Sequence, residues 1–275
     1  MLKRILTSIW ALAILFFVLL FSETVVFPIA VAVVTLFCLF EMFRCMQLEK
    51  KLALGVPAYL IAIAAPFLLR SPLPLAKSTV ILTVCAVLYL IYTFALIIWS
   101  HGSLPFEKVA ATYMINLYIV FAMNFILYVR DFGDKGKYIY LLIFLGAWIT
   151  DTFAYFTGRL FGKHKLIEDV SPKKTIEGSI GGILFCCITF LIFGWSIGQI
   201  SYWWRWLISG LFISIISQIG DLILSVIKRH YGIKDYGSVF PGHGGMLDRF
   251  DSILAVSCGM ALLCMLVKIS GLSVF

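Results

Sequence analysis

The sequence predicts an all-α fold, a polytopic transmembrane helical bundle of about nine spans. Three observations carry that expectation. Of 275 residues, 62% are apolar and 13% charged, against about 45–50% and about 25% in soluble domains. The apolar residues fall in continuous runs of span length, about 17–25 residues, instead of scattering along the chain. Nor do these runs show the ten-residue inside/outside alternation of a membrane barrel.

The first run, 5–21, follows Met1, Leu2, Lys3 and Arg4 and leads into a second apolar stretch with no small-residue cleavage motif between them. It therefore reads as a retained span, not a removed leader. Runs at 25–43, 53–69, 78–99, 109–128, 138–157, 178–198, 203–224 and 250–268 follow. Only Ser22, Glu23 and Thr24 separate the first two, so eight spans is the alternative count. Residues 1–137 form an N-terminal set of spans, and 138–275 a region holding the two longest polar connections, 158–177 and 225–249.

The net charge of +8 is distributed unevenly. With nine spans, the side holding the N-terminus also holds Lys3, Arg4, Arg44, Lys50, Lys51, Lys108, Arg159, Lys163, Lys165, Lys173, Lys174, Lys228, Arg229, Lys234 and Arg249. The opposite side has only Arg70, Lys77, Arg130, Lys135, Lys137, Arg205 and Lys268. The heavier side is expected to be cytoplasmic, with the N-terminus in and the C-terminus out. Both long basic loops then meet the cytoplasm, where they suit an anionic reactant or merely anchor at anionic lipid. No aromatic-interleaved basic patch points to nucleic acid. The seven cysteines lack a CxxC pair and read as small buried hydrophobes, and no His/Cys set suggests zinc.

Chemistry-bearing residues concentrate in the last third. Ser214, Ser217 or Gln218, Asp221, Ser225 and Lys228 recur at steps of three or four, a polar stripe on an apolar helix. A carboxylate at membrane depth costs about 2.5–3.5 kcal/mol on insertion scales, so Asp221 is expected to face a cavity, a partner charge or a metal. In the loop that follows, Gly242, Gly244 and Gly245 after Pro241 allow backbone amides to approach a phosphate, or simply form a turn. Asp248 and Asp251 share a helical face at the start of the last span. Together Asp221 and Asp248 resemble a clamp for a hard cation such as Mg2+, whose shell nucleotide phosphates and water complete. Asp151 is a second intramembrane acid, open to metal binding, pairing with a lysine, or orienting another group. His243 suits a phosphate donor or a pH-sensitive structural group. Lys173 and Lys174 offer point charges, and Arg159 a bidentate fork, to phosphate. Glu23, Glu41 and Arg44 lie near span ends and call for no catalytic role, while Asn116 and Asn124 suit helix–helix hydrogen bonds.

A longer pattern runs through this region. Ser225, Ile227, Lys228, Arg229, Lys234, Asp235, Gly237, the stretch Phe240 to Met246, and Asp248, Arg249, Phe250 and Asp251 resemble the signature of the bacterial phosphatidate cytidylyltransferase (CDP-diglyceride synthase) family. Ser171 to Thr175 with Glu177 and Gly178 is similar to the family as well, as are Gly158 and Arg159 with Phe161 to Lys165. One position departs, for Phe153 stands where the family pattern leads one to expect glycine.

The resemblance implies an active site at the cytoplasmic membrane face of a bacterial inner membrane, in the region 138–275. It implies CTP and phosphatidic acid as substrates, CDP-diacylglycerol and pyrophosphate as products, and Mg2+ as cofactor, with room for a second metal or a monovalent cation and for a homodimer. By the same resemblance Asp221 and Asp248 bind metal with Asp151 in support. Asp251, Lys228, Arg249 and His243 belong to the catalytic set, and Arg159, Lys165, Lys173, Lys174, Ser225, Arg229, Lys234, Gly242, Gly244 and Gly245 to the substrate-binding set. A transporter of an anionic solute is the alternative from a different class, because a polar seam among apolar helices also suits a permeation route.

Overall fold

In the computed structural model, which describes residues 2–198, 200–239 and 244–270 and the side chains among them from Trp10 onward apart from Ile200, the chain is built almost wholly of helices. In chain order they are α1 (Leu2–Leu20), α2 (Val26–Cys45), α3 (Leu52–Leu69), α4 (Leu75–Trp99), α5 (Phe106–Arg130), the short α6 (Gly136–Ile139), α7 (Leu141–Phe161), α8 (Ile176–Ser196), α9 (Trp203–His230) and α10 (Leu247–Ser270). Among the described residues eight helices, α2 to α5, α6 joined with α7, and α8 to α10, are long and apolar enough to cross a membrane. The protein is a multi-pass membrane protein.

Between α7 and α8 the chain forms a small antiparallel hairpin, β1 (Lys165–Ile167) and β2 (Ser171–Thr175). This is the departure from a purely helical expectation. Lys165 Nζ donates to the carbonyl of Pro172 across the hairpin, and the Ile176 N–H donates to the carbonyl of His164 at its base.

Two compact units divide the chain. One comprises residues 1–127 and 233–249, the other 128–232 and 250–275. In the first unit, Ala58, Ala62 and Ala65 form a buried stripe on α3, and small residues let helices approach closely where lipid supplies no hydrophobic drive. Cys38, Leu39, Met42 and Phe43 of α2 are buried as well. A buried polar contact ties three helices, with Asn116 Nδ2 donating to Tyr89 Oη at 3.1 Å and Tyr89 donating to the Leu54 carbonyl at 3.1 Å. Asn124 instead donates to the Val120 carbonyl of its own helix.

The second unit rests on glycine. Gly178 and Gly182 of α8 lie so close to α7 that a β-carbon would fall 2.6 Å from the Ala154 carbonyl and 2.8 Å from that of Thr150. On α9, Gly210 approaches the backbone of Cys187, and Gly220 approaches Ala255 and the Asp251 carbonyl of α10. These approaches bring the polar stripe of α9 beside α7, α8 and α10. Phe153 fits this packing by stacking on Phe185 of α8, with ring centroids 3.7 Å apart.

Candidate active site

The second unit gathers charged and hydroxyl groups from three helices and the hairpin. Thr150 of α7 donates to Ser214 of α9 at 3.0 Å, and both are fully buried. One turn on, Gln218 Nε2 donates to the Ser179 carbonyl of α8 at 3.4 Å. Such bonds satisfy polar groups that hydrocarbon would leave unpaired. The stripe continues to Asp221, whose Oδ2 lies 2.5 Å from Lys174 Nζ at the end of β2. Ser225 donates to its Oδ1 at 3.4 Å. The Asp221 side chain is 22% exposed, whereas the Lys174 ammonium nitrogen itself is buried.

Two further acids surround this pair. Asp151 accepts a hydrogen bond from Ser252 Oγ at 2.8 Å and interacts electrostatically with Asp221 and Lys174. Asp251 accepts from the Ser252 N–H at 2.8 Å and feels the charges of Asp221, Asp151 and Lys228. Lys228, in the last turn of α9, is buried. Three carboxylates and two ammonium groups thus share one neighbourhood, all but Lys174 carried by helices of membrane-spanning length.

Helix capping joins the hairpin that carries Lys174 to the start of α8. Thr175 is the N-cap of α8 and its hydroxyl accepts from the Gly178 N–H at 3.1 Å, the usual way to satisfy a first-turn donor. Glu177, in the first turn, accepts from the Lys163 and His164 amides and lies 2.7 Å from His164 Nδ1. Three further basic residues of this unit, Lys173, Arg159 and Arg229, are exposed. Lys173 projects from β2, Arg159 Nη1 donates to Tyr155 Oη at 3.3 Å, and Arg229 Nε donates to the Val170 carbonyl at 3.4 Å.

In the first unit, the loop before α10 is organised by two carboxylates. Asp248 Oδ2 accepts from the Tyr236 N–H at 2.8 Å and the Gly245 N–H at 2.9 Å. Glu41 of α2, only 2% exposed, accepts from the Met246 N–H at 2.9 Å and the Leu247 N–H at 2.8 Å. Gly244 adopts φ 86°, a left-handed conformation suited to glycine. Gly237 and Gly245 both lie against the Glu41 carboxylate, where a β-carbon would collide. Lys234 and Arg249 are exposed. Gly242 and His243 lie outside the described residues.

Sequence reasoning passed over Glu41 as a span-end residue. A usable signal was there: a lone acid between Phe40 and Met42 inside a run of aliphatic and aromatic side chains. Such an acid in a span calls for a partner.

Among the described residues no three His, Cys, Asp or Glu side chains are grouped to hold a metal by themselves. Magnesium does not require that, since it keeps several waters and binds through one or two carboxylates plus substrate phosphates. The hard, accessible oxygens of Asp221, with Asp151 and Asp251 beside it, fit such an ion.

A model of the cytidylyltransferase family matches residues 2–267. The chain is 34% identical over 260 residues to the phosphatidate cytidylyltransferase of Bacillus subtilis, a match covering 92% of this chain and 94% of that protein. It is 44% identical over 130 residues to the phosphatidate cytidylyltransferase of Staphylococcus saprophyticus, covering 47% of this chain and 50% of that protein. With the phosphatidate cytidylyltransferase of Staphylococcus haemolyticus it shares 46% over 123 residues, covering 45% and 47%. The matched stretch thus spans about half the length of these staphylococcal relatives. With an all-α membrane fold and a family match over nearly its whole length, the chain belongs to the bacterial phosphatidate cytidylyltransferase family and is a nucleotidyltransferase.

Proposed function

We propose that the protein transfers the cytidylyl group of CTP to phosphatidic acid, giving CDP-diacylglycerol and pyrophosphate. The observation that carries this reading is the Asp221–Lys174 pair flanked by Asp151, Asp251 and Lys228 in a chain of this family. A phosphate oxygen of phosphatidate attacks the α-phosphorus of CTP in line. The new P–O bond forms as the bond to the pyrophosphate oxygen breaks. Because phosphatidate already carries an anionic oxygen, no general base and no protein nucleophile are needed.

Mg2+, when bound, supplies charge neutralisation for the phosphates and the leaving pyrophosphate. Asp221 is its proposed principal ligand, with Asp151 and Asp251 in support. Asp248 enters the proposal on its sequence position, three residues before Asp251 on the same helix. Lys174 and Lys228 neutralise phosphate charge as it shifts in the transition state. Lys173, Arg159, Arg229, Arg249, Lys165 and Lys234 supply the surrounding positive field, and Ser225 and His243 oriented hydrogen bonds. The glycines 242, 244 and 245 shape the loop. Facing the cytoplasm, such a site receives CTP from water while the acyl chains of phosphatidate stay in lipid, which spares their transfer into water. Lateral entry of the lipid follows from that economy.

The test is a liposome assay that follows labelled CDP-lipid and pyrophosphate together, with Asp221→Asn and Asp248→Asn beside the wild type. Product formation should require CTP, phosphatidate and Mg2+ at once and fall sharply in both variants. Solute flux without pyrophosphate release would overturn the reading in favour of transport.

A further inference from the structure

We propose that Glu41 is a positioning residue for the reaction, a clasp from α2 that sets the start of α10 and, through it, the direction of Asp248. The inference rests on the functional reading above and extends it to a residue outside the C-terminal signature.

Glu41 is 2% exposed on a helix whose neighbouring buried side chains are Cys38, Leu39, Met42 and Phe43. A carboxylate there is costly unless its oxygens are used. Both are used, and on one short stretch of backbone. Oε1 accepts from Met246 and Oε2 from Leu247, the residue that opens α10. Charge-assisted bonds to first-turn amides are among the stronger hydrogen bonds, and a helix N-terminus favours negative charge. The loop is shaped to receive this carboxylate, because Gly237 and Gly245 lack the β-carbon that would displace it.

Asp248 completes the arrangement by accepting from Tyr236 and Gly245. Residues 236 and 245 are therefore held by Asp248, and 246 and 247 by Glu41. Among the described residues the Glu41 carboxylate accepts hydrogen bonds from these backbone amides, and the proposed role needs no contact with substrate. Its removal frees the amides of 246 and 247 and loosens the turn in which Asp248 is anchored. Glutamine keeps the size but offers one acceptor oxygen and brings an NH2 group toward an N–H, so one of the two bonds is lost.

The experiment uses the full-length protein in detergent or liposomes, and reads amide hydrogen exchange over 236–248 together with steady-state kinetics. In Glu41→Gln, exchange in that segment should rise at least about tenfold, the effect of losing about 1.4 kcal/mol of local protection. kcat should fall about 10- to 100-fold while KM for CTP and for phosphatidate changes less than about threefold, the split expected when geometry is lost and substrate contacts are kept. Gly237→Ala, which crowds the same carboxylate from the loop side, should reproduce the pattern. It also serves as the second variant if Glu41→Gln folds poorly.

Unchanged exchange and unchanged kcat in a folded variant would overturn the proposal. So would a rise in both KM values at constant kcat, which would make Glu41 part of substrate binding. A wild type that makes no CDP-lipid would defeat the functional reading instead, and the exchange data would still judge the clasp.

Discussion

The two compact units use their carboxylates in opposite ways. In the first, Glu41 and Asp248 both accept from backbone amides, four between them. In the second, Asp151, Asp221 and Asp251 lie among one another, with serine hydroxyls and the ammonium groups of Lys174 and Lys228 nearby. A carboxylate fixed on amides stabilises a backbone conformation, and its charge is neutralised by groups that do not leave. The pairing of Asp221 with Lys174 is the contact on which the proposed role in cation binding draws. On the proposed reading the first arrangement serves geometry and the second holds a cation and phosphate charge.

That contrast yields graded tests. The largest effect is expected for Asp221→Asn, which keeps size and removes charge. kcat should drop by about 100-fold or more, the scale seen when one preorganised electrostatic group is lost, and the thermal midpoint should hold within a few degrees. Near-normal turnover of the purified variant would erase the distinction between the units.

Gly220→Val attacks the same cluster through packing. Its side chain meets Ala255 and the Asp251 carbonyl, so stability should fall by about 1–3 kcal/mol and activity by at least tenfold, checked by thermal unfolding in detergent and by turnover. Retained stability and activity would mean that the approach of α9 to α10 does not set the site.

Lys174→Ala should lower kcat by roughly tenfold, equivalent to about 1.4 kcal/mol. It should also tighten binding of Mn2+ as a magnetic probe, because Asp221 loses its internal counter-ion. Weaker or unchanged Mn2+ binding would argue that the lysine and the cation do not compete.

The smallest effect belongs to Ser252→Ala. It deletes the hydroxyl bonded to Asp151, a bond worth about 1 kcal/mol, so turnover should change only about fivefold. A hundredfold loss would promote Asp151 from support to the centre of the cluster.

Much of this was legible in the sequence. Apolar run length located the spans because a helix must satisfy its own backbone in lipid, which makes crossing segments long and continuous. The three- and four-residue steps of Ser214, Ser217 or Gln218, Asp221, Ser225 and Lys228 announced a polar stripe for the same local reason. What stayed hidden was non-local. Glu41 and Leu247 are 206 positions apart, and no periodicity connects them. The hairpin at 165–175 also escaped, since its strands are three and five residues long and rich in lysine. Gly245 invited a phosphate-binding interpretation from composition, and in the folded chain its small size, like that of Gly237, also accommodates a carboxylate from α2.

The hairpin works as a ruler. Lys174 stands immediately before Thr175, the residue that caps α8, so the backbone that carries the ammonium group is tied directly to the membrane helix. A single residue inserted between them would rotate or displace the charge with every other part intact. By contrast, the turn at 168–170 offers backbone where a fluorophore could be carried, with Arg229 bonded to the Val170 carbonyl as a built-in gauge of whether the two basic segments move together.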